Sequence, residues 1–141
     1  MQPVGKVLSL FITDTQTSPK HSILLDQKGI LSDKHYNKNV ERSVLISSIS
    51  SYKLAKEKNI TIPYGQLGEN LLIDYNPYHL AIGSQLKIGQ TILEITQPCT
   101  LCQHLSCIDS KLPKLLKKDR GIFGKVIQEG TIKIDDKIYL L

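Results

Sequence analysis

The sequence predicts a mainly β domain with short helices, α+β in class, its strands rolled into a closed or partly open β-barrel. Three observations carry this reading. The apolar runs are short and are separated by Gly, Pro, Asn and Asp, as strands are rather than long helices. They do not alternate with helix-length amphipathic segments, which argues against a parallel βαβ sheet. A length of 141 residues suffices for one real core but not for two, so residues 1–141 are read as a single domain.

Lys6 to Ile12 reads as the first strand, and Asp14 to Lys20, rich in Thr, Ser and Pro, as a loop. Ser22 to Leu25 is a short second strand, and Asp26 to Gly29 a turn. Ile30 to Tyr36 has little periodicity and many polar groups. Val44 to Ile46 is a buried strand. Ser47-Ser48 supplies a helix N-cap, since a serine oxygen accepts from a first-turn N–H. Ile49, Tyr52, Ala55 and Lys56 follow at helical spacing, and Asn59 ends that helix. A polar loop, Gly65 to Asn70, feeds the strand Leu71 to Ile73. Gln85 to Ile88 and Thr91 to Thr96 flank Gly89-Gln90, a hairpin signal with Gly where a type II′ turn requires it. Ser110 to Lys118 is a short amphipathic helix with Pro113 in its first turn. Gly124 to Gln128, Thr131 to Ile134 and Lys137 to Leu141 close the chain as strands. Val44, Ile46, Leu72, Leu86, Ile92 and Ile95 are the expected core.

Hydrophobic residues at 40% and charged residues at 22% are ordinary for a globular protein and exclude a disordered chain. A net charge of +5 attracts nucleic acids, anionic cofactors and membrane surfaces, although a lysine-rich solvated surface is the more ordinary account of it. Two Phe and no Trp supply little for base stacking, so no nucleic-acid partner is expected. No apolar run approaches the roughly 18 residues needed to span a bilayer, so no membrane partner is expected. The N-terminus lacks the pattern of a signal peptide. Three cysteines, an odd count, exclude a complete disulfide framework. Together these point to the reducing cytoplasm, where thiols serve as ligands or nucleophiles.

The chemistry-bearing stretch is Gln97 to Leu105, where a strand runs into Pro98 and two thiols. Cys99, Cys102 and Cys107 form C-x2-C-x4-C with His104 inside it. A closed structural zinc site draws four ligands, usually from two knuckles, and there is no second C-x2-C; His35 or His79 completes a site only through folding. A thioredoxin-type pair belongs at a helix start in a βαβ context. Each cysteine also has a plain reading as a small buried hydrophobe, which fits Cys99 and Cys107 better than Cys102. Asp33-Lys34-His35 places an anion and an imidazole on one face of an extended chain and a cation on the other. In Gly68-Glu69-Asn70, the asparagine has donor and acceptor capacity to read a heterocycle edge. No stretch matches a P-loop or dinucleotide fingerprint.

Taken in order, five stretches resemble the MOSC-domain family, named for the C-terminal domain of molybdenum cofactor sulfurase. Ser32-Asp33-Lys34-His35 is similar to the family's Gly-Asp-Arg/Lys-His, and Arg42 to Ile46 to its Arg-x-Val-Ser-Leu strand. Gly65-Gln66-Leu67-Gly68-Glu69-Asn70-Leu71 is similar to its Gly-x-Phe-Gly-Glu-Asn-Leu. Ile82 through Gln97 resembles the hairpin that leads to the family's cysteine, and Arg120 through Leu141 its closing segment. Ser32 and Asp135 depart from the pattern, each standing where the family has Gly. Gln103-His104 follows Cys102 where some subgroups place His directly.

The resemblance implies a β-barrel of the MOSC type that handles molybdenum cofactor, of the molybdopterin kind and not pyridoxal phosphate, or its sulfur. Cys102 lies five residues after Gln97, the position of the family cysteine in several subgroups, so the resemblance assigns it the catalytic and metal-ligating role. A thiolate is a soft ligand able to hold molybdenum, and a nucleophile when a nearby cation lowers its pKa. Asp33, Lys34, His35, Arg42, Glu69 and Asn70 are the implied cofactor-binding residues; Lys34, Arg42 and Arg120 suit the cofactor's phosphate as charge-assisted donors. The leading implied activity is reduction of N-hydroxylated or N-oxygenated small molecules. With no flavin, haem or iron–sulfur motif, the electrons come from an external donor protein. A persulfide carrier or cofactor-delivery protein, and a small zinc-binding module, are the alternatives.

Overall fold

The computed structural model describes residues 2–100 and 103–141. Eleven strands are present among them: β1 Gly5–Thr13, β2 Thr17–Lys20, β3 Ser22–Asp26, β4 Gly29–Ile30, β5 Val44–Ser48, β6 Leu71–Ile73, β7 Gln85–Ile88, β8 Thr91–Pro98, β9 Ile122–Gln128, β10 Gly130–Lys133 and β11 Lys137–Leu140. Three short helices are α1 Ile49–Glu57, α2 Gln103–Ile108 and α3 Leu112–Leu115. A 3-10 turn covers Val40–Arg42.

Seven strands close a barrel in the order β1-β11-β7-β8-β9-β5-β6 and back to β1. The β5–β6 pair is parallel; the loop between those strands carries α1 and the Gly65–Asn70 segment to one end of the barrel. Closure depends on β1, which pairs with β11 at Gly5–Lys6 and with β6 at Val7–Leu10, with a register shift between Val7 and Ser9. Such an irregularity bends a strand and sharpens its twist. The far end of β1 pairs with β2, and a small second sheet runs β10-β3-β4.

The barrel interior is an aliphatic core that includes Val7, Leu10, Val44, Ile46, Leu71, Ile73, Leu86, Leu93 and Ile95. A second core lies outside the barrel wall, where α1, α2 and α3 cover Leu72 with Tyr52, Ala55, Leu67, Leu105, Leu112 and Leu116. Leu72 faces this outer core while Leu71 and Ile73 face the barrel, as strand alternation requires.

Most sequence expectations hold. The β7–β8 hairpin turns at Gly89, with φ 57° there and no positive φ at Gln90, as a type II′ turn demands. Ser48 Oγ caps α1 by accepting from Ser50 N at 3.1 Å, and Asn59 ends it in the left-handed region at φ 61°. Several details differ, among them the helix α2 at Gln103–Ile108, which was not expected. Thr17–Lys20, read as loop, is an exposed strand containing Pro19, tolerable because it lies at a sheet edge. The helix expected over Ser110–Lys118 shrinks to Leu112–Leu115 around Pro113. Ile92 is only half buried; alternation turns Thr91, Leu93 and Ile95 inward instead.

Both departures from glycine in the family-like pattern fall at left-handed backbone: Ser32 has φ 72° and Asp135 φ 73°. A Cβ costs about 1–2 kcal/mol there, against a smaller gain in unfolded-state freedom for glycine. Ser32→Gly is therefore expected to raise unfolding free energy by a few tenths to about 1 kcal/mol, read from urea denaturation. Unchanged or lower stability contradicts the strain at this position.

Candidate cofactor site

One end of the barrel opens into a cavity of about 510 Å³, a size suited to a cofactor or a drug-sized ligand. Its wall brings together Asp33, Lys34, His35, Arg42 and Asn70, which lie on three segments distant in sequence. Strand ends place them. Lys34 N donates to Thr13 O at the end of β1, at 2.7 Å. Tyr36 OH donates to Asp26 Oδ2, and Asn37 N to Lys28 O, tying the Asp33–Asn37 turn to the β3–β4 hairpin. Arg42 ends the 3-10 turn before β5, its guanidinium 4.7 Å over the Phe123 ring, a cation–π arrangement that fixes the cation at the wall.

Asn70 is the joint of the site. Its Oδ1 accepts from Leu45 N at 3.0 Å, and its Nδ2 donates to Phe11 O at 3.2 Å and to Asp33 Oδ1 at 3.1 Å. Its backbone exchanges further bonds with Phe11 and Leu45. With these bonds made, the amide serves the wall rather than reading a ligand edge. Asp33 is buried and accepts from Thr13 N at 2.8 Å and His35 N at 3.1 Å, with His35 Nδ1 3.3 Å from Oδ2. Burial pushes this carboxyl up, but the hydrogen bonds from the His35 ring and from the Thr13 and His35 backbone outweigh it and hold it below its ordinary 3.8. Asp33 is therefore an anion that steadies the loop, and the net charge of the wall remains basic.

Arg120 is the strongest ligand signal. It is 7% exposed and lines the cavity. Its carbonyl accepts from Ser47 Oγ at 2.9 Å and Tyr78 OH at 3.3 Å, and its Nη2 donates to Leu67 O at 3.2 Å. Its Nε and Nη1 are buried with no partner among the described residues. Buried guanidinium donors left empty are costly, and an anion in the cavity satisfies them. Lys34, Lys38 and Arg42 add positive charge around the same space.

Comparisons with known proteins bear on the family and the fold. The family model described as MOSC domain matches residues 32–139. The chain belongs to the MOSC-domain family. Among solved structures it is similar to the YuaD protein from Bacillus subtilis, at 20% identity over 95% of this chain and 93% of that one, with a TM-score of 0.79. It is similar to YiiM from Geobacillus stearothermophilus at 16% identity over 99% of this chain and 74% of that one, TM-score 0.69. YiiM from Escherichia coli is 18% identical over 96% of this chain and 69% of that one, TM-score 0.69. No curated protein matches the sequence. The MOSC family is linked to molybdenum cofactor, and the fold of this chain is the fold of these relatives.

Not every expected site residue is seen at the cavity. Cys102 lies outside the described residues. Cys99, read as a plain buried thiol, is buried but forms part of the cavity wall beside Leu45 and Phe123. Lys38 and Phe123 were not anticipated; neither sits in a distinctive local pattern. Glu69 does not line the cavity. It is 1% exposed and turned toward α1, where its Oε2 accepts from Tyr52 OH and, at 3.2 Å, from Gly65 N. It braces the loop from behind: Gly65, at φ 92°, packs so closely on Phe11 that a Cβ meets the ring at 2.9 Å.

Burial pushes the Glu69 carboxyl above its ordinary 4.5, against hydrogen bonds from Tyr52 and from the backbone N–H of Gly65 and Leu67. A raised folded-state pKa means that the native MOSC domain holds this proton more tightly than the unfolded chain. The associated stability is complete below 4.5 and is lost as pH rises through the folded value. Asp33 acts in the opposite sense and only below about 3.8, so the two windows separate. The urea midpoint is expected to fall as pH rises above 4.5, and Glu69→Gln is expected to flatten that fall. Parallel slopes in both proteins contradict the assignment.

Proposed function

We propose that this MOSC protein is a molybdenum-cofactor-dependent reductase of N-hydroxylated or N-oxygenated small molecules. The observation that supports it most is the buried Arg120 guanidinium, its Nε and Nη1 without a partner among the described residues, in a cavity whose wall also carries Lys34, His35, Lys38 and Arg42. This donor set fits an anionic, phosphate-bearing pterin. The cofactor, when bound, supplies the two-electron redox chemistry.

The chain does the rest. Arg120, Arg42, Lys34 and Lys38, which share the cavity wall, would hold the phosphate and orient the group. Cys102, which the resemblance assigns to the metal, is the proposed ligand, a role for which a serine hydroxyl is too hard a donor. Asp33 accepts from His35 Nδ1, which leaves Nε2 as the ring nitrogen able to exchange a proton with substrate or water. In the net reaction the N–O bond breaks, an N–H bond forms, and the oxygen leaves as water after uptake of two electrons and two protons. The electrons come from an external donor protein.

Cys102→Ser is expected to abolish both molybdenum retention and reduction of an N-hydroxylated test compound. Cys99→Ser and Cys107→Ser are expected to retain most activity. Molybdenum content and turnover of the three variants, with a chemical electron donor supplied, test this. An inactive Cys99→Ser beside an active Cys102→Ser places the ligand three residues earlier, and joint loss of zinc and fold in all three replaces the reading with a zinc module.

A further inference from the structure

Back to back with the cavity lies a second concavity, of about 320 Å³, for which the proposed activity gives no use. Ile49, Tyr52, Ile60 and Ile62 give it an apolar floor, and Lys53 and Lys56 edge it. Tyr64, 51% exposed, sits edge-on to Tyr52 with ring centroids 4.9 Å apart. The two spaces share one wall. Tyr64 lines the groove and the next residue, Gly65, lines the cavity. Tyr52, in the groove, donates to Glu69 behind the cavity loop.

The charge around the groove is one-sided. Helix α3 packs beside α1 over the shared outer core. Residues 53–58 and 111–118 hold seven lysines, all exposed, and a single carboxylate, Glu57. None of the seven pairs with a carboxylate among the described residues, whereas Lys6 and Lys125 elsewhere do. A concave apolar floor edged by Lys53 and Lys56, with the other five lysines in the same two segments, complements an acidic protein with a protruding apolar side chain. A flat lipid surface does not reach such a floor.

We propose that this groove and its lysines dock a small acidic one-electron carrier protein, the electron donor to the cavity. The inference rests on the reductase reading above. Two reduced carriers each give up one electron, and with two protons from solvent they convert N–OH to N–H and water. Long-range attraction between the lysines and the carrier's carboxylates speeds encounter, and salt weakens it.

The test uses the full chain loaded with cofactor, a reduced acidic [2Fe–2S] ferredoxin as probe donor, and reduced methyl viologen as a small chemical donor. In Lys53→Glu/Lys56→Glu, the KM for ferredoxin is expected to rise at least ~10-fold and to lose most of its dependence on ionic strength, with viologen-driven turnover unchanged. An unchanged KM for ferredoxin overturns the proposal, and so does an equal loss with both donors. Binding of oxidised ferredoxin, followed by calorimetry, separates the two readings. If wild-type protein binds ferredoxin and the double variant does not, while neither turns over with viologen, docking stands and the reductase reading fails. If wild-type protein turns over with viologen but does not bind ferredoxin, the reductase stands and this docking site fails.

Discussion

Asn70→Ala is expected to cost about 3–4 kcal/mol of unfolding free energy and to dismantle the cavity. The substitution leaves the buried Leu45 N–H without its acceptor and the buried Asp33 carboxylate without one of its donors. Each buried group left unsatisfied costs about 1–3 kcal/mol, more where it is charged. It also unfastens Phe11 O from the residue that precedes β6, so that the end of β1 and the Asp33 turn lose a shared anchor. Such a loss is a large share of the roughly 5–15 kcal/mol that holds a domain of this kind together. Asn70→Asp is expected to do no better near neutral pH, because it sets a second carboxylate against Asp33 Oδ1 and against the Phe11 carbonyl. Urea denaturation measures both. A loss below about 1 kcal/mol for Asn70→Ala means that these bonds do not organise the site.

Arg120→Met is expected to move stability and ligand affinity in opposite directions. In the cofactor-free protein it removes a buried cation whose Nε and Nη1 have no partner among the described residues, at the loss of the bond from Nη2 to Leu67 O. Replacing a buried charge by an apolar chain of similar volume is often neutral or stabilising by about 1–4 kcal/mol. The same change takes from the cavity the donors that an anionic ligand would use, worth about 2–5 kcal/mol for a buried charge pair. The variant is therefore expected to unfold at equal or higher urea than wild type and yet to be purified nearly free of pterin. Loss of stability with full pterin content contradicts this role and makes Arg120 a purely structural cation. Arg120→Lys preserves the charge but not the planar donor fork, and is expected to fall between.

The fold was legible because its determinants are local. Gly89 at a type II′ turn, Ser48 at an N-cap and Asn59 in the left-handed region each announce themselves by residue type. β2 was not legible: Thr17-Ser18-Pro19-Lys20 carries no apolar alternation, and it becomes a strand only because β1 runs past its barrel partners and offers a free edge. The convergence of Asp33, Arg42 and Asn70 followed from the family-like order of the motifs. Their separate duties did not. Adjacent residues of an extended segment point to opposite sides, and that rule alone would have sent Glu69 toward α1 when Asn70 faces the cavity. Cys99 escaped for a similar reason. The register shift in β8 between Ile95 and Gln97 breaks the simple alternation that would have been used to place it.

The central claim is that this basic cavity holds molybdenum cofactor. Elemental and pterin analysis of the protein, purified gently from cells that make the cofactor, tests it most directly. The account predicts molybdenum and pterin stoichiometric with the chain in wild-type protein, both lost in Arg120→Met. Zinc in place of molybdenum, or neither metal in a protein that stays folded and carries sulfur on a cysteine, contradicts it.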